Sequence, residues 1–115
     1  MSVTILHNPR CSKSRETLAL LEARGESIQV CKYLEETPSR AQLQDILRML
    51  GLSARQLLRT SEEEYKTLNL ADPNLSDEAI IDAMLSHPRL IQRPIVIKDG
   101  KARIGRPPEQ VLEIL

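Results

Sequence analysis

Apolar positions change rhythm three times along this chain. Val3-Thr4-Ile5-Leu6 is a short apolar run of the kind a buried strand makes, and Leu18 and Leu21 follow at helical spacing before Gly25. Ile28 to Tyr33 supplies a second strand. A strand, a helix opening at Ser12 or Ser14 and another strand form a βαβ unit, whose right-handed crossover implies two parallel neighbours in one sheet.

Between about residues 39 and 88 the pattern is helical. Ser39 with Gln42 reads as a capping box ahead of Leu43, Ile46, Leu47 and Leu50, and Gly51 ends that helix. Ser53 with Gln56 opens a shorter helix predicted to run through Leu57, Leu58 and Arg59. Ser61-Glu62-Glu63-Glu64 is another start, with acids where the helix dipole favours them. A fourth helix opens at Ser76, Leu75 is set to staple against Ile80, and His87-Pro88 stops it.

After Arg93-Pro94 the run Ile95-Val96-Ile97 predicts a strand, Asp99-Gly100 a two-residue hairpin turn, and Ala102-Arg103-Ile104 the returning strand. Pro108 suits the first turn of a last helix, with Val111, Leu112 and Leu115 as its apolar face. The expected architecture is α/β: βαβ, a helical insertion, then ββα, on a four-stranded mixed sheet. No repeat or linker interrupts it, so residues 1–115 are expected to form a single domain.

Composition removes several classes of function. Sixteen Lys and Arg balance sixteen Asp and Glu, so no long-range field draws the protein to nucleic acid or to an anionic membrane. Tyr33 and Tyr65 are the only aromatic residues, too few for the stacking platforms of single-strand binders. No apolar stretch approaches the roughly 18 residues of a membrane span, and no export signal opens the chain. A cytoplasmic protein without nucleic-acid or membrane partners is expected.

Cys11 and Cys31 are spaced neither as a CxxC pair nor as a zinc knuckle, so each stands alone. Cys31 lies in an apolar strand, where a thiol is a small buried residue. Cys11 instead lies within "HNPRCSKSR", residues 7–15, a polar strand-to-helix turn. A thiol at a helix N-terminus meets unpaired backbone N–H groups and the positive end of the dipole, both of which favour thiolate. Arg10, Lys13 and Arg15 add nearby cations, and Ser14 stands where a dithiol oxidoreductase has its second cysteine. A sulfur that resolves an intermediate at Cys11 must then come from another molecule, such as glutathione. His7 either stabilises that thiolate or simply ends the strand. Pro9 interrupts the one close His–Cys spacing and no carboxylates cluster there, so no metal is expected.

Five segments together resemble the arsenate reductase family of the glutaredoxin-coupled type, including its short relatives of unassigned activity: "HNPRCSKSR", "YLEETPSRAQL", "LLRTSEEEY", "LIQRPIVI" and "GRPPEQVLEIL". The resemblance runs from Ile5 to Leu115 and implies a thioredoxin-like fold with a helical insertion. It implies a nucleophile at Cys11, a thiolate-stabilising histidine at His7 and oxyanion-binding arginines at Arg59, Arg93 and Arg106. It also implies that Pro94 is the cis-proline facing the thiol, with Ser14 in a supporting place. On its own, Arg59 reads as a surface residue of a helix, and Arg93 and Arg106 as loop cations. Ser12-Lys13 replaces the Gly-Thr pair of the longer plasmid-type enzymes, as in the short relatives.

The implied activity is reduction of arsenate to arsenite, with glutathione as co-substrate, glutaredoxin as partner and no bound cofactor. Two other functions fit the cysteine turn: a general monothiol glutathione-dependent oxidoreductase, and a thioredoxin-like transcriptional regulator that binds RNA polymerase. The regulators use a paired-cysteine switch, which Ser14 denies to this chain.

Overall fold

Strands β1 (Ser2–Leu6), β2 (Ser27–Cys31), β3 (Ile95–Lys98) and β4 (Lys101–Ile104) form one sheet in the order β2-β1-β3-β4. The computed structural model describes residues 2–115. β1 pairs in parallel with β2 and antiparallel with β3, and β3 pairs antiparallel with β4, which is the expected mixed sheet. The chain divides into two units, residues 2–36 with 93–115 and residues 37–92.

In the first unit, helix α1 (Ser12–Ala23) connects β1 to β2. Val3 and Ile5 alternate onto the face of β1 that packs with Leu21, Val96, Val111 and Ile114, and all but Ile114 of this set are fully buried. The hairpin between β3 and β4 turns on Asp99 and Gly100, both at positive φ (52° and 75°), as a two-residue turn matched to strand twist requires.

Two predicted elements of this unit differ. The second strand stops at Cys31 rather than Tyr33 and is an edge strand, so Val30 is exposed and Cys31 only half-buried, while Tyr33 beyond it is fully buried. The last helix is a 3₁₀ segment, Pro108–Ile114, not an α-helix. With three residues per turn, Val111 and Ile114 share the buried face and Leu112 is left exposed.

The second unit contains α2 (Arg40–Leu50), α3 (Ala54–Leu57), α4 (Glu63–Thr67) and α5 (Asp77–Ser86), followed by a 3₁₀ turn at Pro88–Leu90. Both capping boxes form: Ser39 with Gln42 and Ser53 with Gln56 exchange side-chain and backbone hydrogen bonds. Ser76 caps α5 by accepting from the Ala79 N–H. Arg55 donates to the carbonyls of Leu70 and Asp72 at 2.9 and 2.8 Å, which fixes the segment between α4 and α5.

Helix α3 ends earlier than its pattern predicts. Leu58 is extended and bridges Ile91, and the Gln92 N–H donates to Leu57 O. Arg59 therefore follows the helix instead of riding on its surface. Among the described residues no helix is long and apolar enough to cross a membrane.

Gly105, just past β4, has no room for a side chain. Its N–H donates to Pro94 O at 2.9 Å, and a Cβ there would stand 2.8 Å from Pro94 Cγ and against Thr17 Oγ1. Pro94 and Thr17 are both buried and have little room to yield. Gly105→Ala is expected to cost about 1–3 kcal/mol of stability in urea denaturation; an unchanged midpoint would show that the neighbours move aside.

Candidate active site

The loop from β1 to α1 is built from its own polar groups. The His7 N–H continues the parallel pairing, donating to Cys31 O at 2.8 Å. Asn8 then makes an Asx turn: its Oδ1 accepts from the Arg10 N–H at 3.0 Å, and its carbonyl accepts from the Cys11 N–H at 3.0 Å. Cys11 has extended backbone and is the N-cap of α1. Its carbonyl accepts the first helical hydrogen bond, from the Arg15 N–H, while the Arg15 guanidinium donates back to Pro9 O at 3.0 Å.

Beneath the loop lies a buried polar cluster. Ser14 Oγ accepts from the Asn8 N–H at 3.0 Å and shares a 2.6 Å hydrogen bond with His7 Nδ1. Ser14 is fully buried, His7 is 6% exposed and Asn8 7%, so their polar groups depend on internal partners: Ser14 Oγ serves both His7 Nδ1 and the Asn8 N–H, and Asn8 Oδ1 takes the Arg10 N–H. Burial lowers the His7 pKa below its ordinary 6.5, and the charges of Lys32 and Arg15 push it further the same way. The imidazole is therefore neutral at pH 7, and its hydrogen bond goes to Ser14 rather than to the sulfur.

Cys11 is half-buried, and burial by itself raises the thiol's pKa. The Ser14 backbone N–H, the Arg93 side chain, the Lys13 backbone N–H and the Arg106 charge outweigh that effect, leaving the thiol below its ordinary value. No cap hydrogen bond of standard geometry forms from the Cys11 side chain, so the two helical amides act on the sulfur as nearby positive dipoles. Arg106, like the Arg93 side chain, makes a direct contact: its Nη2 reaches Cys11 Sγ at 3.4 Å while its Nε donates to Arg93 O at 2.8 Å. Cys31 contrasts with it, since burial and the Glu36 carboxylate raise its thiol.

The structure thus brings Cys11, Arg93 and Arg106 together, with Ser14 and His7 one layer below. The Arg93–Pro94 peptide bond is cis, as is Arg106–Pro107. Arg59 belongs to the second unit. Its N–H donates to Leu90 O at 2.7 Å, its Nη1 donates to Gln92 Oε1 at 3.2 Å, and its Nε faces Glu62 Oε1 at 3.7 Å. Among the described residues no group of three or more His, Cys, Asp or Glu is arranged to hold a metal ion. Chemically, the cluster in the first unit is an acidified thiol with two guanidinium groups beside it, a nucleophile equipped to meet an anion.

Asn8 and Gly105 carry the geometry but do not stand out in the residue pattern. The Asn-Pro dipeptide was the available signal for Asn8, since it favours turn initiation. Gly105 precedes Arg106 with no turn signature, and its role depends on a contact with Thr17 far away in sequence.

A mixed four-stranded sheet with a cysteine at the N-terminus of its first helix defines a thioredoxin-like protein. Residues 6–114 match the ArsC family, and the chain belongs to that family. It is 60% identical to the uncharacterized protein YfgD of Escherichia coli (strain K12) over 98% of this chain and 96% of that one. It is 53% identical to an arsenate reductase of Haemophilus influenzae over the full length of both. A solved structure of an arsenate reductase from Vibrio cholerae, 60% identical, superposes with a TM-score of 0.97 and covers 100% of this chain and 98% of that one.

Two predictions follow the electrostatics. The rate of Cys11 alkylation by iodoacetamide is expected to rise with pH around a midpoint below that of an ordinary thiol. Arg106→Gln, which removes the 3.4 Å contact, should move the midpoint upward; an unmoved midpoint would assign the shift to the other groups. For His7, the unfolded chain takes up a proton at the ordinary value while the folded chain resists it. Stability should therefore fall as pH drops through about 6.5, with the loss complete below the folded-state pKa. His7→Gln should flatten that part of the pH–stability curve measured by thermal denaturation.

Proposed function

We propose that this protein reduces arsenate to arsenite with Cys11 as its single sulfur nucleophile, glutathione as co-substrate, glutaredoxin as regenerating partner and no bound cofactor. The observation that carries the reading is Arg106 Nη2 set 3.4 Å from an N-cap thiol whose acidity is raised, in a chain of the ArsC family. An anion attracted to Arg106 and Arg93 arrives beside the sulfur.

In the proposed sequence the Cys11 thiolate attacks arsenic(V) and one arsenate oxygen leaves as water after taking up two protons, forming a sulfur–arsenic bond. Glutathione sulfur then attacks Cys11 sulfur. The sulfur–arsenic bond breaks, its electron pair stays on arsenic as arsenite, and Cys11 is left in a mixed disulfide with glutathione. Glutaredoxin thiol takes the glutathione by disulfide exchange and returns Cys11 to thiolate. The two electrons gained by arsenic come from the two sulfurs that form the disulfide.

In this reading Arg59, Arg93 and Arg106 bind the oxyanion, arginine being suited by its forked, permanently charged donors. Pro94 faces the thiol, and His7 supports the reaction through Ser14, by holding the loop that presents Cys11. Ser14 stands where a dithiol oxidoreductase has its second cysteine, so in this reading the resolving sulfur comes from an external thiol.

Arsenate, glutathione, glutaredoxin and an NADPH-coupled reductase should yield arsenite with this protein, and Cys11→Ser should reduce the rate to background. Cys31→Ser should retain nearly full activity. No arsenite above the Cys11→Ser level would overturn the reading, and faster reduction of a glutathione mixed disulfide than of arsenate would favour a general monothiol oxidoreductase.

A further inference from the structure

The four strands of the first unit bring the candidate site to one end of their sheet: β1, β2 and β4 finish there and β3 begins there. Because the strand order is β2-β1-β3-β4, the segment that follows β2 lies on one side of the loop leaving β1, and the segments at β3 and β4 lie on the other. Arg93 and Arg106, the two arginines that contact Cys11 Sγ, belong to the β3 side. On the β2 side a cleft of about 240 Å³ opens between the loop and residues 32–35. Buried His7 and Asn8 line it, together with the exposed side chains of Arg10, Lys32, Glu35 and Leu34. Arg10 is bonded to Cys11, so the cleft begins one residue from the sulfur.

The proposed reaction gives the attacking thiol a direction. Displacement at a divalent sulfur runs in line, with the entering sulfur, Cys11 Sγ and the departing atom on one axis. Glutathione, its thiol proton already lost to solvent, forms a bond to Cys11 Sγ while the sulfur–arsenic bond breaks. The electron pair of that bond stays on arsenic, which goes from the pentavalent to the trivalent state as the two sulfurs become a disulfide. With arsenic on the side of Arg93 and Arg106, the entering sulfur comes from the side away from them. The cleft is on that side.

Its lining suits the molecule that would arrive. Glutathione has a carboxylate at each end, an ammonium beside one of them and a thiol in the middle. Arg10 and Lys32 supply two cations, Glu35 supplies one anion, and Leu34 offers an apolar surface between the charges. We propose that this cleft is the glutathione site, with Arg10 and Lys32 taking the two carboxylates and Glu35 the ammonium, so that the thiol meets Cys11 opposite the arginines. The inference rests on the reading of Cys11 as a nucleophile resolved by glutathione.

All three charged side chains are exposed, and their variants are expected to keep native circular dichroism. Arg10→Gln and Lys32→Gln should each raise the KM for glutathione about three- to tenfold, with a smaller change in the KM for arsenate. Glu35→Gln is the sharper test. Glutathione is a net anion at pH 7, so unspecific attraction would strengthen when a carboxylate leaves the cleft, whereas loss of an ammonium contact raises the KM. A second readout needs no arsenate. S-methylglutathione, which keeps the charges and has no free thiol, should move backbone amide NMR signals of residues 7–10 and 32–35 in the full chain, and its half-saturating concentration should rise in Lys32→Gln and in Glu35→Gln.

A lower glutathione KM in Glu35→Gln, or signals that move only around Arg93 and Arg106, would overturn the proposal. Arsenite formation with a glutathione KM indifferent to all three substitutions would also overturn it and leave the arsenate reading standing. If no arsenite forms, the arsenate reading fails by itself and the S-methylglutathione titration decides whether the cleft binds glutathione.

Discussion

The contact between Arg106 Nη2 and Cys11 Sγ ties together the two stretches of chain that make the first unit. Cys11 ends the β1–α1 loop, Arg106 follows β4, and the same guanidinium also holds Arg93 O. A thiol half-withdrawn from water is pushed toward its neutral form, and only compensating charge reverses that. The compensation comes from helical amides on one side and from arginines that follow the second unit in sequence on the other. The acidity of the sulfur therefore depends on the fold closing, not on the cysteine turn alone. Gly105 allows that closure, because its backbone passes against Thr17 of α1 and Pro94 ahead of β3, where a Cβ has no room.

The buried cluster of His7, Asn8 and Ser14 explains why a loop rich in polar residues holds one shape. Polar groups sealed from water are costly unless every one is paired, so each hydrogen bond in the cluster excludes alternative loop conformations. A proton added to His7 would place a charge out of reach of water, and facing Lys32 and Arg15 as well, so burial first and the two cations second depress its pKa. The histidine and the cysteine are thus linked by structure rather than by direct proton sharing. Ser14 supplies the link, and its hydroxyl is occupied inside the protein rather than presented beside Cys11.

Local patterns located most of the fold because most elements here are locally determined. Both capping boxes, the Ser76 cap and the Asp99-Gly100 turn are short-range devices, and each forms where its residues predict. The departures come from neighbours that a local pattern does not contain. β2 stops early because it is an edge strand paired only with β1. Helix α3 stops early because Leu57 and Leu58 engage Gln92 and Ile91, more than thirty positions away. In the C-terminal segment the spacing of Val111 and Ile114 suits a three-residue turn as well as a helix, and sequence spacing alone does not separate the two. At the candidate site the cysteine turn was legible from placement, whereas nothing local marks Arg59, Arg93 and Arg106; only the family resemblance singled them out.

How each arginine is held matters as much as where it stands. Arg106 is oriented through Nε by a peptide carbonyl, a neutral acceptor that aims the guanidinium while leaving its charge intact. Arg59 is oriented partly by Gln92 and partly by the Glu62 carboxylate, which aims it and neutralises it together. Charge left intact beside Cys11 lowers the thiol's pKa. Charge already compensated contributes directed hydrogen-bond donors with little net field, so it favours an anion by fit more than by attraction. The carbonyl beside Arg106 and the carboxylate beside Arg59 are thus two different kinds of neighbour, one leaving a guanidinium its full field and the other cancelling much of it.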